Sequence, residues 1–263
     1  MRVDIHTYVG HWPFRQLRGN TCSALLSNMK RYGIDRAVVA NLHGIFYKNT
    51  QPANEELAEA VRSYRAEFIP FAVINPTYAG WQYDLEFCRR KLGFKGVRLY
   101  PQYHDYQPSD ARCAEAVRMA TALGMAVAFS QRVVDDRQRS WLDPGRQLTL
   151  DEIALVVERV PKGKFIVLNA MLQTVREAIS QVFQRADILF DTVYATGARV
   201  GLAAYDLAEA VATYGADKFA FGTAAPFREP VTALLRVEVA KELDPASKEL
   251  IWSGNALRFL IRN

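Results

Sequence analysis

The sequence predicts an α/β protein, a single-domain (β/α)8 barrel that spans residues 1–263. Short apolar stretches alternate with amphipathic stretches eight times, as parallel strands joined by crossover helices require. The strand candidates are apolar almost throughout, which is typical of strands covered on both faces. Four predicted helices end in a glycine shortly before the next strand: Gly33, Gly93, Gly124 and Gly215. A doubly wound open sheet is the alternative, but the chain contains no G-x-G-x-x-G phosphate loop.

The first half of the chain is predicted to hold four strands and three intervening helices. Alternating apolar side chains predict the first strand, and Leu57, Ala58 and Val61 at helical spacing predict the second helix. The predicted strands are 3–8, 36–41, 68–74 and a short stretch that ends before 101, and the predicted helices are 21–32, a segment that starts near 53, and 81–91.

The fourth strand leads into a loop that is rich in polar and aromatic side chains. Val97 and Leu99 alternate with Arg98 and Tyr100, and Pro101 ends the strand because proline cannot donate to a sheet hydrogen bond. The alternation leaves open whether the arginine faces the barrel interior or the helices. Loops that follow strand ends carry ligands and catalysis in such folds, so we expect the site here.

The second half of the chain repeats the same rhythm, and a short helix closes it. Gly124 follows a helix, and the long loop around Asp143-Pro144-Gly145 precedes the next one. The predicted strands are 125–130, 164–169, 188–192 and 219–223, and the predicted helices are 111–123, 150–160, 172–184, 202–214 and 231–243.

Composition excludes several functional classes. Lys and Arg exceed Asp and Glu by 33 − 28 = 5, and the two signs are interspersed, which argues against a nucleic-acid interface. No run of 18 apolar residues exists and the first residues enter a strand directly, so we expect no membrane span, no signal peptide and a cytoplasmic location. The three cysteines fall in predicted helices far from one another, as buried thiols do: Cys22, Cys88 and Cys113.

Polar side chains gather at the carboxyl ends of the predicted strands, where a barrel places its ligand pocket. Each of them alone also fits a capping or strand-end hydrogen bond, so only the set indicates a pocket. The set is Asp4, His6, Tyr8, Asn41, His43, Asn75, Arg98, Tyr100, His104, Ser130, Gln131, Arg132, Asn169, Asp191, Thr192 and Thr223.

Four motifs resemble those of the amidohydrolase-related TIM-barrel family, amidohydrolase 2. Residues 4–8 resemble its D-x-H-x-H opening, and residues 93–101 resemble its G-F-K-G-[IV]-[KR]-L-H-P fourth strand. Residues 218–227 resemble its R-[IL]-L-F-G-[ST]-D-x-P-F eighth strand, and residues 253–258 are similar to its G-N-A-x-R-L tail. The resemblance covers the chain from end to end and implies the barrel fold and a hydrolase.

The resemblance also implies a divalent metal, but four of its five ligand positions differ here. Tyr8 stands for a histidine, Ser130 or Gln131 for a second, Asn169 for a third, and Ala224 for an aspartate. Amide oxygens are poor transition-metal ligands and a methyl group is none. We therefore expect no metal and no cofactor in this divergent member, unless one of the remaining histidines moves in. The four histidines are His6, His11, His43 and His104.

Without a metal, catalysis must come from side chains. The predicted catalytic residues are His6 and His104 as general bases and Arg98 as a carboxylate or oxyanion partner. The function predicted is a metal-independent hydrolase, or a lyase, that acts on a small carboxylated or lactone- or ester-type substrate. The alternative is an inactive relative that binds a small molecule or a protein partner. A homo-oligomer is possible. The predicted substrate-binding residues are Tyr8, Tyr100, Tyr103, Ser130, Arg132, Arg137, Asn169 and Thr223.

Three loops carry further features. Residues 135–137 form either a surface charge cluster or an anchor that pairs with Arg98 or Arg132. Residues 12–15 form either a packed aromatic lid or a stacking platform. Residues 196–199 precede a predicted helix, whose free backbone N–H groups could hold an anion.

Overall fold

The computed structural model describes residues 1–172, 175–193 and 203–261, with only the backbone described for 203–206. Its eight strands form one parallel sheet in sequential order, as the predicted barrel requires. The Ile5 N–H donates to the Phe221 carbonyl at 2.9 Å and the Tyr8 N–H donates to the Ala225 carbonyl at 2.8 Å, so the first strand meets the eighth. The strands are β1 Val3–Val9, β2 Arg36–Asn41, β3 Phe68–Ile74, β4 Gly96–Leu99, β5 Ala126–Ser130, β6 Lys164–Leu168, β7 Asp187–Asp191 and β8 Phe219–Ala220.

Helices alternate with these strands, and a π-helical turn at Leu250–Gly254 joins the last two helices. Gly33 ends the first helix at φ 65°, a conformation that glycine adopts without strain. No helix among the described residues is long and apolar enough to cross a membrane. The helices are α1 Cys22–Tyr32, α2 Gln51–Ala60, α3 Trp81–Arg90, α4 Ala111–Ala122, α5 Leu150–Arg159, α6 Glu177–Arg185, α7 Ala203–Tyr214, α8 Pro230–Glu238, α9 Pro245–Glu249 and α10 Asn255–Leu260.

Three predicted boundaries are wrong by three residues or more. The sixth helix begins at Glu177 rather than 172, because the Val175 N–H closes a turn on the Leu172 carbonyl before the helix starts. The eighth helix ends at Glu238 rather than 243. The eighth strand stops at Ala220, because the next N–H donates to the Ile251 carbonyl of the π-helical turn.

Strand register answers the question of which way Arg98 points. Arg98 lies in register between Val73 of β3 and Ala128 of β5, and Ala128 packs in the cluster that fills the barrel. The neighbouring Val97 and Leu99 pack instead in the cluster between the strands and the helices. The arginine is therefore an interior residue. The same outer layer holds the cysteines as buried free thiols, as predicted: Cys22, Cys88 and Cys113.

Candidate active site

A buried chain of three polar side chains crosses the carboxyl end of the barrel. His6 of β1 contacts the Asp191 carboxylate of β7 through Nδ1 at 2.5 Å and the Tyr8 hydroxyl through Nε2 at 3.1 Å. Because a carboxylate only accepts, Nδ1 carries the proton and Nε2 accepts from the hydroxyl. Burial lowers the pKa of His6, against the opposing charge of Asp191. The imidazole is therefore neutral at pH 7 and can accept a proton.

Backbone amides hold the Asp191 carboxylate in place. The Asn169 N–H lies 3.1 Å from both carboxylate oxygens, and the Val193 N–H lies 3.3 Å from Oδ1. Asn169 adopts φ 56°, a left-handed conformation that asparagine tolerates better than most residues. Gly222 passes close to the same pair, since a Cβ there would lie 2.9 Å from that of Asp191 and 3.2 Å from that of His6. The carboxylate and the imidazole are thus fixed from three strands.

Arg98 is a buried cation without an acidic partner. Its side chain is almost completely buried, its Nη2 donates to the Thr7 carbonyl at 3.1 Å, and its guanidinium lies 4.4 Å from the centre of the Tyr8 ring. Among the described residues, no carboxylate lies within 4.0 Å of it, and its Nε and Nη1 have no hydrogen-bond partner. An uncompensated buried charge is costly, so this geometry calls for an anion.

Further polar atoms without partners lie at the same end of neighbouring strands. The Ser130 hydroxyl ends β5 and the Asn169 amide oxygen follows β6; both are buried and make no hydrogen bond in the described chain. The Tyr100 hydroxyl, which follows β4, is also buried and lies close to Arg98 and Tyr8. Together with Arg98 they supply donors and an acceptor on one side of the barrel mouth. Buried polar groups normally have partners, so these atoms make the barrel mouth the candidate place for a polar ligand.

Arginines surround this end of the barrel. Arg137 and Arg228 both donate to Asp135 at 2.7 Å, and Arg132 donates to Asp136 at 3.0 Å. Among the described residues, this rim therefore carries three arginines close to two carboxylates. Arg132 pairs with Asp136 locally, four positions along the chain, and Arg137 is exposed, as in the surface-cluster alternative for residues 135–137. The pairing with Arg98 is wrong, because β4 directs that arginine into the barrel.

An aromatic cluster covers the site. The Trp12 ring is buried and lies 5.1 Å from both Phe46 and Phe227, centre to centre. Tyr103 packs edge-on against Phe46 at 5.3 Å, and Phe227 packs against Tyr8 at 5.8 Å. Residues 12–15 thus form the packed lid rather than an open stacking platform. The cover of the mouth is therefore aromatic.

Two other predicted site residues border this centre: Thr223 through Asp4, which accepts from the His6 N–H at 2.9 Å, and His104, whose ring centre lies 6.5 Å from that of Tyr100. Thr223 donates to Asp4 at 2.6 Å and thereby links β8 to β1. Burial raises the pKa of Asp4 to about 7. His104 lies in a separate cavity of about 360 Å³ that is lined by the loops after β2, β3 and β4. Residues 196–199 lie outside the described residues.

Comparison with known proteins identifies the family. The amidohydrolase family model matches residues 3–261. The chain belongs to this family. No curated protein matches the chain in sequence.

Solved structures of decarboxylases share the fold at low sequence identity. A 2,6-dihydroxybenzoate decarboxylase from Rhizobium has a TM-score of 0.74 and 16% identity, over 98% of each chain. A 5-carboxyvanillate decarboxylase from Sphingomonas paucimobilis has a TM-score of 0.73 and 14% identity, also over 98% of each chain. A dihydroxybenzoic acid decarboxylase from Polaromonas has bound manganese, a TM-score of 0.73 and 16% identity, over 98% of this chain and 96% of the other. Identities this low establish only the shared fold.

The residues of this family member do not fit the manganese that the Polaromonas structure holds. The described residues contain no group of three or more His, Cys, Asp or Glu that could hold an ion. Both ring nitrogens of His6 are engaged, and His43 pairs with Glu56 at 2.9 Å on the α2 side. Ala224 adopts φ 60°, a conformation that aspartate tolerates better than alanine, but its methyl group cannot bind a metal.

Sequence reasoning did not assign roles to Asp191 and Arg228. Asp191 is the polar residue at the end of an apolar strand, which is why it belongs to the predicted strand-end set. This pattern does not indicate that it contacts His6. Arg228 follows the eighth-strand motif and forms an ion pair with Asp135, which lies 93 positions earlier in the chain. Both contacts depend on which loops meet across the mouth.

Proposed function

We propose that this amidohydrolase is a metal-independent hydrolase of a small carboxylated lactone or ester. The carrying observation is the unpaired, buried Arg98 guanidinium next to the Asp191, His6 and Tyr8 chain. Arg98 binds the substrate carboxylate, because two of its N–H groups have no partner in the described chain and guanidinium matches carboxylate in geometry. The arginines at the mouth draw the anion in.

The acid and base work falls to Tyr8 and His6. Tyr8 passes its proton to Nε2 of His6 while its oxygen takes a proton from water, whose oxygen bonds to the acyl carbon. The C–O bond of the lactone or ester then breaks, and the leaving alkoxide recovers a proton from Tyr8, which His6 reprotonates. Asp191 stabilises the imidazolium formed on the way, and Arg98 above the Tyr8 ring favours the phenolate.

Decarboxylation of an aromatic acid is the second candidate. The named activities of the Rhizobium and Sphingomonas structures favour it, and so does the aromatic cover, in which Trp12 and Phe227 lie 5.1 Å apart. In that reaction the C–C bond to the carboxylate breaks, carbon dioxide leaves, and the ring carbon takes a proton from Tyr8. The non-catalytic relative remains the third possibility.

A substrate panel with matched variants tests the proposal. Wild-type protein, Arg98→Met and the surface control Arg62→Met are assayed against carboxylated lactones, their uncharged methyl esters and hydroxybenzoic acids. We expect turnover of carboxylated lactones, a rise in KM of roughly 10²-fold in Arg98→Met for a charge-assisted contact, and no change in Arg62→Met, whose side chain is 69% exposed. Release of carbon dioxide instead favours decarboxylation. Binding that depends on Arg98 without any turnover favours the non-catalytic relative.

A further inference from the structure

His104 lies in a cavity outside the candidate active site, and no role has been assigned to that cavity. About 360 Å³ of space lies between the loops that follow β2, β3 and β4. His104 reaches it from the β4 loop and Lys48 from the β2 loop, whereas His6, Tyr8 and Arg98 do not line it. Tyr103 stands between the two regions, because it lines the cavity and also packs on the aromatic cover.

The imidazole of His104 is buried and keeps an acceptor nitrogen without a partner. Only 6% of the residue is exposed, and its polar neighbour is the Ile45 backbone carbonyl. Burial lowers its pKa to about 4, against the smaller opposing effect of a hydrogen bond to that carbonyl. The ring is therefore neutral at pH 7: its N–H turns towards Ile45, and its other nitrogen is an acceptor with no partner in the described chain. A buried polar side chain in this state needs a partner that offers a hydroxyl or similar group.

The residues that line the cavity indicate the shape and the charge of that partner. Four aromatic side chains line the space, which suits a flat ring: Phe46, Tyr47, Tyr78 and Tyr103. The lining contains Lys48 and Asp105, which carry opposite charges, and Arg112 pairs with Asp110 at 2.5 Å. With no net charge, the cavity lacks the electrostatic attraction for anions that surrounds Arg98.

We propose that this cavity is a second binding site, for an uncharged single-ring phenol whose hydroxyl donates to the imidazole of His104. The ring packs between the aromatic walls, and the hydroxyl supplies the partner that the imidazole lacks. A volume of about 360 Å³ accommodates one aromatic ring. The site is independent of the reaction proposed for Arg98, since the two regions differ in charge and in lining.

Binding of phenol, toluene and benzoate tests the assignment. Calorimetry gives the affinities, and the ring C–H resonances of the four histidines report the location, with that of His104 assigned by its loss in His104→Phe. We expect phenol to shift the His104 resonance and to bind roughly tenfold more tightly than toluene, which lacks the hydroxyl. We expect benzoate to leave that resonance in place.

Variants separate this site from the other. His104→Phe keeps an aromatic ring and should weaken phenol roughly tenfold; His104→Asn serves if the first variant does not fold, and the exposed His11→Phe should change nothing. Phenol should bind equally to Arg98→Met, which distinguishes this inference from the proposed function. Equal affinities for phenol and toluene, a His104 shift with benzoate alone, or loss of phenol binding in Arg98→Met would each overturn it.

Discussion

At the scale of single residues, the hydroxyl of Tyr8 is the reactive end of the buried polar chain. Tyr8→Phe removes that oxygen but keeps the ring beneath the Arg98 guanidinium. We expect kcat on the best substrate to fall by about 10²-fold, the usual contribution of a positioned acid or base, with KM changed less than about twofold. Steady-state kinetics measure both constants. Unchanged kcat would assign proton transfer to another group.

Asp4 makes stability depend on pH, because burial raises its pKa to about 7 in the folded protein from about 3.8 in the unfolded chain. The folded state therefore binds more protons between pH 4 and 7, and the free energy of unfolding falls as pH rises through that window, by on the order of 4 kcal/mol at full effect. Asp4→Asn mimics the protonated acid, since its amide can donate to Thr223. The variant should gain stability relative to wild type as pH rises, and parallel urea-unfolding curves at pH 5 and pH 8 would contradict this.

At the scale of elements, α5 shows a helix start that local sequence predicts well. Thr149 caps it, and Glu152 bonds back to the cap, so both sides of a capping box are present. Thr149→Ala should lower the free energy of unfolding by about 1 kcal/mol, whereas Thr149→Ser keeps the hydroxyl and should cost only a few tenths. Chemical denaturation measures the difference. Equal losses in the two variants would show that the methyl group, not the cap, stabilises this helix.

The same scale shows where local patterns fail. The start of α1 after Thr21 and its end at Gly33 follow from capping chemistry. Periodicity and caps therefore predict the bounds of this helix to within one residue. The sixth helix has no side-chain cap at Arg176, and the apolar pattern of its sequence continues into the preceding turn. For this reason the pattern predicts a start at 172, five residues before the helix begins. The eighth strand is short because its hydrogen bonds go to the π-helical turn, a partner about 30 residues later.

At the scale of the whole molecule, the barrel determines which strand ends meet, and that is why part of the site was predictable. His6, Tyr8 and Arg98 were assigned to the site from their strands alone, and they lie in contact. The partner of His6 was not predictable, because Asp191 lies 185 positions away and reaches it only when β7 and β1 share one mouth. His104 was assigned to the same centre, but its loop turns towards a separate cavity.

The barrel fold does not depend on the metal ligands that the family resemblance implies. The metal content of the purified chain tests whether this protein binds a metal. The strands fix the backbone positions of Tyr8, Asn169 and Ala224 independently of whether their side chains can bind a metal. Ala224 adopts φ 60°, although alanine tolerates this conformation poorly. We expect less than about 0.1 zinc, iron or manganese per chain by elemental analysis after dialysis, because a catalytic site needs three donors. EDTA should leave turnover of the best substrate unchanged.

The triple variant Tyr8→His, Asn169→His, Ala224→Asp places three donors beside His6 and should retain manganese or zinc, which shows that the assay detects a competent site. One equivalent of metal in the wild type that is lost in His6→Gln would contradict the metal-independent mechanism.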